Sequence, residues 1–188
     1  MDGYISFSQL NDFIYSPMSL YLHECYKAYN TNLYNDTPQA LGIQAHEAID
    51  QHKYKKRDWI TSMWLCSATL RLYGKTDLYN QKSGELVERK RLIKYIYEGY
   101  KMQVWAQYYC LQEMGYKVNS IYLHSLVDNT RYDLGIPTKK DLESLKELIS
   151  RMQNYQPQFE ELIDPRNKSL ISIYKHLCPE QAGSNYAK

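Results

Sequence analysis

Apolar positions recur at helical spacing near the start of the chain: Leu10, Phe13 and Ile14 follow Ser6-Phe7-Ser8-Gln9, a Ser-x-x-Gln capping box, and the run stops at Ser16-Pro17. The pattern predicts a short helix there and a second one after it. From Pro38 to about Tyr54, Leu41, Ile43, Ala45, Ala48 and Ile49 predict a further helix ending in the charged run His52-Lys53-Tyr54-Lys55-Lys56-Arg57. That run suits a solvated helix end or contact with phosphates. Residues 70–80 and 85–92 read instead as strands around Gln81-Lys82-Ser83-Gly84, polar and ending in Gly as a four-residue hairpin loop requires. Residues 95–114 contain no proline and carry Ile96, Met102, Val104, Trp105, Ala106 and Leu111, which predicts a long, largely buried helix ended by Gly115. Residues 118–127 and 131–136 flank Asp128-Asn129-Thr130 as a second hairpin, and Leu142, Leu145, Leu148, Ile149 and Met152 mark an amphipathic helix.

No repeat or low-complexity linker interrupts this order, so the elements share one core: a mixed α/β class with helices packed on a central sheet. The length of 188 residues fits one domain, expected over residues 1–182, with 183–188 a disordered tail. Lys plus Arg is 23 against 21 for Asp plus Glu, so any basic surface for nucleic acid must be local. The apolar runs fall short of the roughly 18 residues of a membrane span, and Met1-Asp2-Gly3-Tyr4 lacks the basic start of a secretory signal. A cytoplasmic protein without a membrane partner is the expectation. Cys25, Cys66, Cys110 and Cys178 form no CxxC pair and read as free thiols. The 20 tyrosines supply core area, base stacking or polar handles at a wet groove.

The informative stretch for chemistry is Gly74-Lys75-Thr76-Asp77 followed by Glu88-Arg89-Lys90, the one acid-x-Lys triplet of the chain. In a strand Glu88 and Lys90 point to the same face. Pairing Asp77 with Glu88 across the hairpin sets Tyr79 against Leu86 and Asn80 against Glu85, so the predicted loop closes and two carboxylates meet an ammonium. Hydrolysis of a phosphodiester needs such a set: hard carboxylate oxygens hold Mg²⁺ or Mn²⁺, and the lysine stabilises phosphoryl charge. His46 is a further candidate ligand, since an imidazole beside carboxylates favours Mn²⁺. Gln103 and Gln107 share one helix face, where buried amides position DNA or a water, or satisfy core groups.

The order Gly42-x-x-x-His46, Gly74-Lys75-x-Asp77, Glu88-x-Lys90 and Gln103 resembles the motifs of RecB-like PD-(D/E)XK nucleases. Ser6-Phe7-Ser8-Gln9-Leu10-Asn11-Asp12-Phe13, Tyr21-Leu22-His23, Leu86-Val87-Glu88-Arg89-Lys90, Ala106-Gln107-Tyr108 and Ile173-Tyr174-Lys175-His176-Leu177-Cys178 resemble the fourth CRISPR-associated protein family, in its type V-associated form. The resemblance implies a restriction-endonuclease-like PD-(D/E)XK core, with a central mixed sheet flanked by helices. It also implies a metal-dependent DNA exonuclease that trims prespacer ends with single-stranded overhangs, beside the Cas-one/Cas-two integrase complex, during spacer acquisition. Its site would be Asp77, Glu88 and Lys90, with His46 and the Arg89 backbone carbonyl as added metal ligands. The alternative is a catalytically weak DNA-binding adaptor of the same integrase that protects or measures overhangs.

The family holds an iron-sulfur cluster with one cysteine before a proline near the start and three in a C-x2-C-x5-C arrangement near the end, in a cap formed by both terminal segments. Here those positions carry Ser16, Ser169, Ser172 and Cys178. Serine hydroxyls are harder and far less acidic than thiols, so the cluster is expected to be absent.

Overall fold

The computed structural model describes residues 3–18, 20–21 and 58–157. Three predicted features lie outside them: the helix of Pro38 to Tyr54 with its charged run, the positions His46, Ser169, Ser172 and Cys178, and the tail after Ala182.

Helix α1 is Phe7–Tyr15, and its capping box is formed as the sequence implies: the Ser6 hydroxyl accepts from Gln9 N–H, and the Gln9 side chain accepts from Ser6 N–H at 2.7 Å. The helix stops where Ser16 turns extended before Pro17, a residue that disfavours helical backbone ahead of it. Pro17, Met18, Leu20 and Tyr21 are again helical, as expected of a second helix. Just ahead of α1, strand β1 (Ile5–Ser6) lies parallel to the start of β3 (Leu72–Asn80).

Strand β3 is the spine of the molecule. Strand β2 (Trp59–Ser67) runs antiparallel along one edge of it, and β4 (Glu85–Lys90) joins the other edge through the predicted four-residue loop. Asn80 Oδ1 accepts from the backbone N–H groups of Lys82 and Ser83, which fixes that loop as an Asx turn. The alternation pattern did not predict β2: its first five positions are all half-buried, and clean alternation of exposed and buried residues begins only at Trp64.

Helix α2 (Glu98–Glu113) carries the chain from β4 to a parallel strand, β5 (Ser120–Ser125), and β6 (Thr130–Asp133) returns antiparallel to it. The helix begins three residues later than predicted, because Tyr97 is extended and forms the N-cap. It ends at Gly115, whose φ of +86° admits the bonds from Gly115 N–H to Gln112 O and from Tyr116 N–H to Leu111 O. Helix α3 (Lys139–Gln153) is capped by Thr138 and Asp141 and buries Leu145, Leu148, Ile149 and Met152.

The result is an α/β fold: a mixed six-stranded sheet in the order β1-β3-β4-β5-β6, with β2 also on β3 and helices flanking it. Helix α2 packs on β2 and β3 and against α1 and α3, so its buried residues surround it instead of forming one stripe. Leu10, Leu65, Leu72, Leu86, Leu111, Ile121, Leu123 and Leu145 meet in the core, each contributing about 1.5–3 kcal/mol by leaving water. Among the described residues no helix is long and apolar enough to cross a membrane.

Candidate active site

The edge of β3 that faces β4 is shared between two partners. Its last residues, Leu78, Tyr79 and Asn80, pair with Val87, Leu86 and Glu85, whereas its first residues, Leu72 and Tyr73, pair with β1. Asp77 sits at the fork. Continuing the register places it opposite Glu88 on one side and opposite Ser62 of β2 on the other, and neither pair belongs to the ladders. Ser62 has a left-handed φ of +51°, a conformation that costs a non-glycine residue of order 1 kcal/mol.

The predicted register of Tyr79 with Leu86 and Asn80 with Glu85 is present, but the Asp77–Glu88 backbone pair is not. In its place the Asp77 carboxylate reaches across the opening, and Oδ2 accepts from the Arg89 backbone N–H at 2.7 Å. The side chain thus takes the donor of β4 that a continued ladder would have used. Asp77, Glu88 and Arg89 are all buried there.

Glu88 is 2% exposed and is gripped from two directions. From its own strand, Lys90 Nζ lies 2.8 Å from Oε1, as the shared face of alternate strand residues predicts. From α2, Gln103 Nε2 donates to Oε1 and Gln107 Nε2 to Oε2, both at 2.8 Å. Gln103 closes a triangle by accepting from Lys90 Nζ at 2.8 Å. One turn of helix separates the two amides, so both reach the same carboxylate. Gln107 Oε1 is buried and finds no partner among the described residues.

Burial raises the Glu88 carboxyl above its ordinary value, and the charge of Asp77 adds to the rise, while Lys90 and Gln107 act against it. Burial pulls the Lys90 ammonium down, but the adjacent Glu88, with help from Asp77, outweighs it and leaves Lys90 above its ordinary value. Glu88 thus keeps the Lys90 ammonium beside it in a largely buried site.

Beyond Lys90 an aromatic series leads outward. Lys90 Nζ lies 5.2 Å from the centre of the Tyr100 ring, Tyr100 and Tyr97 have centroids 4.2 Å apart, and Tyr97 and Tyr95 are 6.2 Å apart. The Tyr97 hydroxyl donates to the Asn11 side chain of α1.

No protein-family model matches the chain, and no curated protein matches it. Among solved structures it is similar to the crystal structure of SSO0001, with a TM-score of 0.62 at 17% identity, over 95% of this chain and 87% of that one. At that identity the likeness bears on the fold alone.

Of the residues singled out from sequence, Asp77, Glu88, Lys90, Gln103 and Gln107 come together with the Arg89 peptide, which enters through its N–H. His46 lies outside the described residues, and among those described no group of three or more His, Cys, Asp or Glu side chains is placed to hold a metal ion. Ser16 is buried at the end of α1, with its N–H on Asp12 O. Sequence reasoning missed Ser62, which no spacing betrays, and the series Tyr100, Tyr97 and Tyr95, whose interleaving with Arg91, Lys94 and Lys101 was visible in the chain.

Proposed function

We propose that the chain is a metal-dependent DNA exonuclease with a PD-(D/E)XK core, and that it trims prespacer overhangs beside the Cas-one/Cas-two integrase. The observation that carries the chemistry is the convergence of Asp77, Glu88 and Lys90 at the fork between β3 and β4. The CRISPR setting rests on the sequence motifs quoted above.

The donor set suits Mg²⁺ or Mn²⁺. Asp77 and Glu88 offer hard oxygens, and burial, with the charge of Asp77, raises the Glu88 carboxyl, a rise that a bound cation would oppose. Asp77, Glu88 and the Arg89 carbonyl would hold the ion, with His46 as an added ligand. When bound, the ion supplies charge neutralisation at the phosphodiester and an acidified water. Lys90 presents an ammonium to the phosphate oxygens as charge develops on them. Gln103 and Gln107 fix the Glu88 carboxylate in one orientation, and Gln103 also holds the Lys90 ammonium in place.

The test is a time course on end-labelled duplexes with overhangs, in Mn²⁺, Mg²⁺ or chelator. Wild type cuts with metal, and Asp77→Ala or Glu88→Ala loses at least about two orders of magnitude. Equal cutting by all three proteins would end the assignment. No cutting by wild type, with DNA binding retained, would favour the adaptor.

A further inference from the structure

The segment 91–97, which joins β4 to α2, has a composition that the catalytic reading does not use. Between Glu88 and Glu98 lie four cations, Arg89, Lys90, Arg91 and Lys94, and no acid. Arg91, Leu92, Lys94 and Tyr95 are exposed, and the Tyr95 ring is 74% open to solvent although it packs edgewise on Tyr97. A ring so placed presents an open aromatic face on which a flat ligand could stack.

We propose that Tyr95, backed by Tyr97 and Tyr100, is the stacking platform for the terminal base of a single-stranded DNA end whose phosphate enters the site of Asp77, Glu88 and Lys90. The inference rests on the nuclease reading and names the residue that seats the end of its substrate. Three observations carry it. The ring series is continuous with the site, since Tyr100 lies beneath the Lys90 ammonium. It is anchored rather than loose, because the middle ring is tied to α1 through Asn11 and the inner one sits on α2. Exposed Lys94 adjoins the outer ring in sequence and exposed Arg91 lies four residues before it, cations that suit a phosphodiester backbone and not an apolar peptide.

An aromatic face beside cations accepts any base, because every base has a π-face. Inside a duplex both faces of a base are covered by its neighbours, and at a blunt end only the outer face of the terminal pair is open. The platform therefore takes a strand end without reading its sequence, and an unpaired end, free to turn, seats on it best.

The test uses the full chain with Ca²⁺ in place of Mn²⁺ or Mg²⁺, checked for the absence of cleavage, and an oligonucleotide ending in the fluorescent base 2-aminopurine. Stacking quenches the probe. Wild type should bind the single strand with quenching, Tyr95→Ala should lose the quench and bind about 5- to 100-fold more weakly, and Tyr95→Trp should keep both. Binding of a covalently closed circular duplex, which has no end to stack, should change by less than about twofold in Tyr95→Ala. A Tyr95→Ala protein that quenches like wild type, or that loses single strand and circular duplex equally, overturns the platform. The catalytic reading is scored separately with Mn²⁺: a chain that quenches through Tyr95 but does not cut keeps the platform and loses the nuclease, and one that cuts while Tyr95→Ala quenches normally does the reverse.

Discussion

Gln107, a side chain with no exposed surface, donates its Nε2 to Glu88 Oε2 at 2.8 Å, so the central helix holds the carboxylate of the β4 strand from behind. A hydrogen bond to a buried charge is worth about 1.5–3 kcal/mol, and its loss leaves the carboxylate short of a donor. On the proposed function, with Glu88 holding the ion, Gln107→Leu, close in volume, should lower Mn²⁺ affinity about 10- to 100-fold, the usual scale for an outer partner of a metal ligand, while the protein still folds. Calorimetric titration reads the affinity and circular dichroism the fold. Unchanged affinity would make Gln107 a packing residue only.

The raised Glu88 carboxyl sets a pH dependence in the metal-free protein. Its folded pKa lies above its unfolded one, so the folded state holds a proton that the unfolded state has already released. Stability from this group is complete below the ordinary carboxylate value and is lost as pH rises through the higher folded value. In chelator, the melting temperature should therefore decline with pH in that window, and Glu88→Gln, which has no proton to lose, should flatten the decline. Added Mn²⁺ should reverse it for wild type alone. The same slope in both proteins would place the pH dependence elsewhere.

Much of this arrangement was legible because it depends on local rules. The two-residue period of a strand put Glu88 and Lys90 on one face, and the polar loop ending in Gly84 fixed the hairpin register. The fork was not legible. It arises because β1, far away in sequence, takes the edge of β3 that β4 leaves, and no spacing near Asp77 announces that. Strand β2 was hidden for another reason: its first five positions are all half-buried and mix polar with apolar residues, so the alternation that reveals a strand begins only at Trp64. Gln103 and Gln107 were visible as a pair on one helix face, but only the sheet could say that their common partner is Glu88.

Ser16 is a buried helix end whose N–H is used by Asp12 O, and its hydroxyl stands where the resembled family has a cluster thiolate. With Ser169 and Ser172 at two more of those positions, Cys178 alone cannot hold an iron-sulfur cluster. The chain should purify anaerobically as a colourless protein without stoichiometric iron or sulfide, and still form the Asp77–Glu88 site, whose hairpin needs none of those ligands. Iron near four atoms per chain would show other residues serving as ligands.

Gly74, three residues before Asp77, is where α1 comes down on β3. A Cβ built there would lie 2.5 Å from Cδ2 of the Phe7 ring, closer than any packed carbon tolerates, and the backbone at φ +155° also disfavours a side chain. The ring has little room to retreat, since Phe7 is buried and the capping box at Ser6 fixes the start of its helix. Gly74→Ala should therefore cost about 1–3 kcal/mol, as overpacking of a core does. Part of that cost comes from the backbone and part from the ring, and a double-mutant cycle separates them. Phe7→Leu removes much of the ring at its own expense, but in the Gly74→Ala background it also removes the clash. The double variant should be more stable than the sum of the single losses by about 0.5–3 kcal/mol, measured by denaturant unfolding. Strict additivity would mean that the ring and the new methyl do not meet, and that Gly74 is required for its backbone alone.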